Sequence, residues 1–243
     1  YLAIQDLHYN QAGQIPAVSI SAWIKTSKSS EGIIISYDRS EYWRFSVGGD
    51  NNNGKLFFAT TDLRGYQTGT VDTYSNNTVH NDQWRHVLVT YDSSSSLKKF
   101  YIDGSLDRSV SAAHGNRDLG SGTQRYGSIG AANENLNFNS NTSGANFQGY
   151  LDDLRLYDRA LNTDEVDYLY KSALDTDGDG LSDAQEIYGY HTYREIPGTF
   201  TWTEAKTDAE VRGGHLATIT SKLESEKVLS ASTGSPWIGG TDQ

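Results

Sequence analysis

Apolar and polar side chains alternate in many short segments of residues 1–160, and this alternation constrains the fold more than any other feature. In AVSISAWIK, one face of an extended chain carries Val18, Ile20, Ala22 and Ile24. A period of two indicates a β-strand with one buried face. GIIISYD, YWRFSVGG and KLFFATT are similar, and turns rich in Gly and Asn separate them. The pattern predicts a mainly β protein, folded as an antiparallel β-sandwich of the jelly-roll type.

WRHVLVTYD and LKKFYIDG form the clearest predicted pair of strands. They flank the polar turn SSSS, which predicts an antiparallel hairpin, and Asp103-Gly104 then makes a tight turn. In the last strand, FQGYLDDLRLYDR, Asp152 and Asp153 interrupt the alternation and indicate a bulge or a binding site. We expect the core to contain strand residues such as Val18, Ile20, Val87, Val89 and Leu154.

Helix signals follow the strands. Asn162 with Glu165 forms a capping-box pattern, which predicts a helix from about Thr163 to Leu174. Further on, TFTWTEAKTDAEVRGG predicts another helix, because Thr201 with Glu204 repeats the capping box and a Gly pair ends the segment. HLATI predicts a strand, and SKLESEKVLSAS predicts a helix that Ser221 and Glu224 would cap.

The segment DTDGDGLSDAQE, residues 175–186, matches the pattern D-x-D-x-D-G-x5-E. This spacing wraps oxygen ligands around Ca²⁺, which would offset the repulsion between the carboxylates. The predicted ligands are Asp175, Asp177, Asp179, the carbonyl oxygen of Leu181, Asp183 and Glu186. The alternatives are a solvated acidic linker and Mg²⁺, whose smaller octahedral shell suits the loop less well.

Charge and composition exclude several classes of partner. The chain of 243 residues has 31 Asp and Glu against 20 Lys and Arg, a net charge of −11, and nucleic-acid binding requires a basic surface instead. No apolar run approaches the roughly 20 residues of a membrane span. There is no Cys for disulfides or thiolate chemistry, and the lack of Met at position 1 predicts a segment of a longer parent chain.

The first 170 residues resemble the laminin G-like, concanavalin A-like jelly rolls. The similarity lies in VSISAWIKT, NDQWRHVLVTYD, LKKFYIDG and FQGYLDDLRLYDRALNTDEVDYLY. The resemblance implies two antiparallel sheets and a ligand that is carbohydrate, peptide or protein. It also implies structural, buried roles for Trp84 and His86. Many members hold Ca²⁺, so Asp152 and Asp153 are candidates for a second calcium site, although one of them could instead pair with Arg155 or Arg159.

Two further resemblances concern the rest of the chain. The acidic loop resembles the calcium repeats of thrombospondin type 3 and dockerin-like modules, in which the ion stiffens a joint. Residues from about 191 resemble the first half of a C-type lectin-like domain, through TWTEAKTDAEVRGGHLATITSKLESEKV and WIGGTDQ. The sugar-binding calcium loop of that family lies beyond this chain. The expected domains are therefore a jelly roll over 1–170, an EF-hand-like calcium-binding linker over 171–190 and a truncated C-type lectin-like α+β domain over 191–243.

Catalysis is not expected from the sequence. Glycanases on this fold need two carboxylates at alternate positions of one strand, and no predicted strand has them. The histidines are scattered without the spacing of metal ligands, and no nucleophile or phosphate-binding motif is present.

Two functions remain. The first is a calcium-binding extracellular or cell-surface adhesion module that recognises carbohydrate or glycoprotein. The second is a structural or interaction spacer of a larger secreted protein or enzyme, with Ca²⁺ making the interdomain joint rigid. Sugar binding requires exposed aromatic rings. The candidates are Tyr42, Trp43, Tyr66, Tyr74 and Tyr126.

Overall fold

The computed structural model describes residues 2–49, 52–64, 71–112, 114–133, 137–138, 142–176, 182, 194–217 and 228–232. The chain divides into two compact units, Tyr1–Tyr170 and Lys171–Gln243. None of the helices in the described ranges is both long enough and apolar enough to cross a membrane.

In the described ranges, the first unit consists of strands joined by turns, and a helix follows the last strand. The strands are β1 (Leu2–Tyr9), β2 (Ala12–Ile15), β3 (Ala17–Lys25), β4 (Gly32–Ser36), β5 (Trp43–Val47), β6 (Lys55–Thr60), β7 (Val71–Thr78), β8 (Arg85–Asp92), β9 (Leu97–Ile102), β10 (Ser105–Ser111), β11 (Leu119–Ser121), β12 (Arg125–Ile129), β13 (Ala132–Asn133), β14 (Thr142–Gly144) and β15 (Tyr150–Tyr157). The helix is α1 (Thr163–Lys171).

Two antiparallel sheets form the body of this unit. One has the strand order β1-β12-β4-β5-β6-β7, and the other has the order β10-β9-β8-β3-β15. Side chains from both sheets pack into one hydrophobic core. This arrangement confirms the predicted antiparallel sandwich. We call the side of the five-stranded sheet that points away from that core its outer face.

Period-two alternation explains which side chains reach the core. In β3, Val18, Ile20, Ala22 and Ile24 point inward and are at most 1% exposed. The neighbouring strand β8 contributes Val87 and Val89, and the six-stranded sheet contributes large aromatic residues such as Trp43 and Phe45. The predicted core is confirmed, with Leu154 partly buried against it.

The predicted turns are also confirmed. β8 and β9 form an antiparallel hairpin from the pair Val87↔Ile102 to the pair Asp92↔Leu97. The Asp92 carboxylate accepts hydrogen bonds from the backbone and hydroxyl of Ser94, which holds the turn. A second tight turn joins β9 to β10, and its two residues have the left-handed conformation expected for Asp-Gly in a hairpin.

The last strand contains the bulge that its sequence predicts. The register of β15 against β3 shifts between Asp152 and Arg155, and Asp153 lies there with a φ of 46°. α1 begins with the predicted capping box, since Asn162 and Glu165 each accept the other's backbone N–H. The helix ends at Lys171, earlier than predicted, where the Leu174 N–H closes a turn on the Lys171 carbonyl.

α1 packs on the outer face of the five-stranded sheet. Val166 and Leu169 of the helix meet Leu88 of β8 and Tyr101 of β9, and Leu161 completes this second apolar cluster. This cluster covers only part of the outer face of the sheet.

The second unit contains α2 (Trp202–Val211). Its predicted capping box between Thr201 and Glu204 is present, and the N–H of Gly213, whose φ is 79°, bonds to the carbonyl of Glu210 near the C-terminus. The strand expected at HLATI does not begin at His215, since residues 215–217 lack regular structure and the rest of the segment is outside the described residues.

The remaining predictions for the second unit fall only partly on residues that the structure describes. Residues 228–230 are helical, in agreement with the end of the helix expected over SKLESEKVLSAS. The proposed caps Ser221 and Glu224 and the segment WIGGTDQ lie outside the described residues. The resemblance to a C-type lectin-like domain therefore stays a prediction.

Candidate functional site

The predicted calcium loop falls almost entirely outside the described residues. Asp175 is described. Asp177, Asp179, Leu181, Asp183 and Glu186 are not. Calcium coordination by residues 175–186 stays a prediction from the spacing of the carboxylates.

The suggested second calcium site has a different explanation. Asp153 accepts a hydrogen bond from Nε of Arg155 at 2.7 Å, and Asp152 accepts the backbone N–H of Asp153 at 2.8 Å. Arg159, the other possible partner, pairs with Glu165. Among the described residues, no group of three His, Asp or Glu side chains is arranged to hold a metal ion. Asp153 thus takes the ion-pair role that was the alternative.

Two of the residues proposed as sugar-binding rings lie in the core. Tyr42 and Trp43 are both 0% exposed, so that prediction is wrong for them. They belong to a buried aromatic cluster with Tyr9 and Tyr37, in which the rings of Tyr37 and Trp43 are 4.8 Å apart. The reason is that β5 begins at Trp43, whose side chain points inward with those of Phe45 and Val47.

The other three candidates are not free platforms. Tyr66 lies outside the described residues. Tyr74 is half-buried and packs on Phe57, with 5.2 Å between ring centroids. Tyr126 is half-buried as well and stacks with His8 at 5.2 Å.

Trp84 and His86, which the resemblance implies are buried and structural, have different environments. His86 is 1% exposed, and its Nε2 lies 2.8 Å from Oγ of Ser21, so the structural role is confirmed for it. Burial lowers the pKa of His86 to about 4. Trp84 is 45% exposed, so the prediction of a buried tryptophan is wrong. It directly precedes β8 in the chain.

The ring of Trp84 lies beside that of Tyr150, with 6.3 Å between centroids and 50° between planes. Tyr150 is 66% exposed. Lys25 lies between them in the sheet. On one side it pairs with Tyr150 of β15, and on the other side its neighbour Ile24 pairs with Arg85 of β8, the residue that follows Trp84. Ile24 points into the core, so Lys25 points to the outer face. We call Trp84, Lys25 and Tyr150 the aromatic row.

Backbone contacts hold the aromatic row in place. The Thr26 hydroxyl donates to the carbonyl of Gln148 at 2.6 Å, and the Thr26 carbonyl accepts the N–H of Asp82 at 3.0 Å. Thr26 therefore ties both flanking segments to β3. Gly149 is needed where the strands meet, because a Cβ on it would lie 2.1 Å from the carbonyl oxygen of Lys25.

The positions next to the aromatic row on the same face of the sheet carry one acidic and two aromatic side chains. Asp152, Trp23 and His86 occupy the next outward-facing positions of β15, β3 and β8. Trp23 stacks on Tyr170 of α1 at 5.8 Å, and the His86 ring lies 5.5 Å from that of Trp23. Trp23 and His86, at the outward-facing positions next to the aromatic row on β3 and β8, are therefore packed.

Comparison with known proteins identifies the superfamily to which the fold belongs. Residues 1–167 match the model of a family described as the concanavalin A-like lectin/glucanases superfamily. The chain belongs to this superfamily.

Solved structures agree with the superfamily fold. The native heptameric SAP-like pentraxin from Limulus polyphemus has a TM-score of 0.50 and 16% identity, over 68% of this chain and 75% of the pentraxin. A proposed carbohydrate-binding protein from Bacteroides ovatus also has a TM-score of 0.50, with 14% identity, over 66% of this chain and 42% of that one.

One curated relative is an adhesion receptor. The adhesion G-protein coupled receptor V1 of Danio rerio is 24% identical over 201 residues, which are 80% of this chain. The chain spans only 3% of the length of that receptor.

The superfamily includes glucanases, so the placement of carboxylates matters. Hydrolysis of a glycosidic bond needs two carboxyl groups that flank it. In the strands that the structure describes, no two carboxylates occupy alternate positions of the same strand. Asp152 and Asp153 are adjacent, and the latter is paired with Arg155.

Three buried polar residues are linked in the same order as a catalytic relay, but they are closed to substrate. Nε2 of His114 lies 2.7 Å from Oγ1 of Thr60, and Nδ1 lies 3.2 Å from Oδ2 of Asp62. A carboxylate only accepts, so Nδ1 carries the proton and Nε2 accepts from the hydroxyl. All three residues are 0% exposed, and no substrate can reach the hydroxyl. We interpret the cluster as structural.

Burial and neighbouring groups shift the pKa values in and around this cluster. Burial alone would raise the pKa of Asp62, but hydrogen bonds from Arg64 and His114 outweigh it and lower that pKa. Burial, together with nearby Lys98, lowers the pKa of His114 to about 4, so its imidazole is neutral at pH 7. Lys98 is itself fully buried, and desolvation lowers its pKa well below the ordinary value.

Proposed function

We propose that this chain is a non-catalytic adhesion module that binds carbohydrate, free or on a glycoprotein, through the aromatic row. The observation that carries the proposal is the side-by-side exposure of Trp84 and Tyr150, at 45% and 66%. Exposed aromatic rings in contact with each other are a common mark of a binding surface.

The chemistry of the row suits a sugar. A pyranose presents an apolar face of C–H groups, which can pack on a ring, and a rim of hydroxyl groups. Polar side chains in the segments that flank the row are available for those hydroxyls, since Asn81, Gln83 and Gln148 are exposed. Their amides can both donate and accept hydrogen bonds.

The relatives support a surface role. One solved structure of similar fold is a proposed carbohydrate-binding protein, and the curated relative is an adhesion receptor. Both functions belong to those proteins, and they make an extracellular or cell-surface location the natural expectation for this chain.

The experiment is a glycan array with the whole chain, followed by calorimetry on the sugars that bind. We expect Trp84→Ala and Tyr150→Ala to weaken binding at least tenfold, which is about 1.4 kcal/mol each. Trp202→Ala is the matched control, because Trp202 is 38% exposed and lies in the second unit. Binding that survives both row substitutions would refute the proposal.

We also propose that residues 175–186 bind Ca²⁺. Asp175, Asp177 and Asp179 with Asp183 and Glu186 would repel one another without a cation. Calorimetric titration should give a site with a Kd on the order of 10⁻⁴–10⁻³ M. The site should disappear in Asp175→Ala and in Glu186→Ala. An identical isotherm in both variants would show that the loop is a solvated linker.

The position of the loop favours one structural role for the ion. Asp175 lies shortly after Lys171, where the second compact unit begins. A cation bound there would restrict backbone torsions close to the boundary and make the joint rigid. Small-angle scattering with and without chelator tests this, and coincident size distributions would exclude a role in rigidity.

A further inference from the structure

We propose that the aromatic row selects a sugar unit that carries one anionic group, a carboxylate or a sulfate, and that Lys25 binds this group. The inference rests on the proposed function and names the class of its ligand. Its basis is the position of a lysine on the strand that lies between two exposed rings.

The strand register places Lys25 in the middle of the row. It pairs with Tyr150 on one side, and on the other side Ile24 pairs with Arg85, the residue after Trp84. β3 lies between β8 and β15, yet the centroids of the Trp84 and Tyr150 rings are only 6.3 Å apart. They therefore lean toward each other over β3, the strand that carries half-buried Lys25. A half-buried lysine can cover its methylene groups and keep its ammonium group at the water interface.

Lys25 differs from the neighbouring cations in its pairing. Nε of Arg85 lies 2.7 Å from Oδ2 of Asp103, and Nε of Arg155 lies 2.7 Å from Oδ1 of Asp153. Within the described residues, Lys25 forms no ion pair with a carboxylate. Its ammonium group is therefore available to an anionic group on a ligand whose ring lies on Trp84 or Tyr150.

The acidic surroundings limit the charge of the ligand. The chain has a net charge of −11, and exposed Asp82 and Asp152 lie close to the row in the chain and in the sheet. A polyanion would be repelled by this field, whereas a single charge can be compensated locally by Lys25. The preferred ligand is thus a mostly neutral glycan with one acidic sugar.

The magnitude follows from the exposure of the ammonium group. A solvent-accessible ion pair contributes up to about a fivefold gain in affinity. Added salt is an ambiguous probe, since it weakens the local pair and also screens the overall repulsion. A comparison of charged and neutral forms of one sugar isolates the local pair.

The experiment is calorimetry on the whole chain with three matched pairs of probes. They are cellobiose and cellobiouronic acid, the methyl ester of 3′-sialyllactose and 3′-sialyllactose itself, and galactose and galactose 6-sulfate. We expect the acidic member of at least one pair to bind about three- to fivefold more tightly. Lys25→Met keeps the apolar stem and should abolish this preference, so that the acidic and neutral members of the pair bind with equal affinity. Comparison of the carboxylated and sulfated pairs identifies the anion.

Lys99→Met is the control, because Lys99 lies on β9, at the far side of the same sheet. It should leave the preference unchanged. Equal binding of the charged and neutral members, or a preference that survives Lys25→Met, overturns this inference while the proposed sugar binding stands. Failure of all six probes and of the glycan array overturns the proposed function itself, and this inference with it.

Discussion

Acid should destabilise the first unit through two buried histidines, and His114 gives the clearest test. Its imidazole is 0% exposed and joins Thr60 to Asp62. Burial lowers its pKa to about 4, and burial likewise lowers the pKa of His86 to about 4. In the unfolded chain both have an ordinary pKa of about 6.5.

The sign follows from proton binding. Between pH 6.5 and pH 4 the unfolded chain binds protons that the folded chain does not, so the free energy of unfolding falls as the pH falls. The stability that neutral histidine provides is complete above pH 6.5 and is lost on the way down to pH 4. For one such histidine the loss between pH 7.5 and pH 5 is about 2 kcal/mol, and for both it is about 4 kcal/mol.

Urea unfolding at a series of pH values measures this. With an m-value of about 2 kcal/mol/M, the wild-type midpoint should fall by about 2 M between pH 7.5 and pH 5. His114→Gln should be less stable at pH 7.5, because it loses part of the network, but its midpoint should fall by only about 1 M. The range stays above the region where Asp and Glu titrate in the unfolded chain.

Thr60→Val is the matched control. It removes the hydroxyl that contacts His114 and keeps a buried imidazole, so the protein should be less stable but should retain the wild-type pH dependence. If His114→Gln shows the same slope as the wild type, the buried imidazole is not the group that titrates, and the reasoning is refuted.

Three further predictions follow from local geometry. Gly54→Ala should cost about 1–3 kcal/mol in urea unfolding, because φ is +75° and the new Cβ would lie 1.9 Å from Nδ1 of His80; an unchanged midpoint would contradict this. Asp107→Ala should speed hydrogen exchange at the amides of Asn76 and Asn77, which donate to its carboxylate, and unchanged rates would show that β7 is held by other contacts. Chelator should leave the circular dichroism of the first unit unchanged, because its core lies far in sequence from residues 175–186, and lost ellipticity would show a calcium requirement.

Local features of the architecture could be predicted because they depend on neighbours in the chain. The inward face of β3, the β8–β9 hairpin and the Asp103-Gly104 turn follow from alternation and turn chemistry over a few residues. Both capping boxes depend on side chains three residues apart, and these were predicted correctly.

The candidate site could not be predicted in the same way. Tyr42 and Trp43 are buried although aromatic residues at the start of a strand can face either way, and only packing against Tyr9 and Tyr37 decides their side. The calcium loop is the opposite case: its spacing is a complete pattern within the sequence, and it stays a prediction until its coordination is measured.

The sequence by itself determined the inward faces of its strands, where its hairpins turn and which helices are capped, because those choices are made within about ten residues. The tertiary structure alone decided that Trp84 and Tyr150 face solvent on either side of Lys25. That juxtaposition depends on β15 pairing with β3, and β3 with β8, between segments far apart in sequence. Strand order is set by the packing of the whole core rather than by any local pattern, so the site exists only in the assembled sheet.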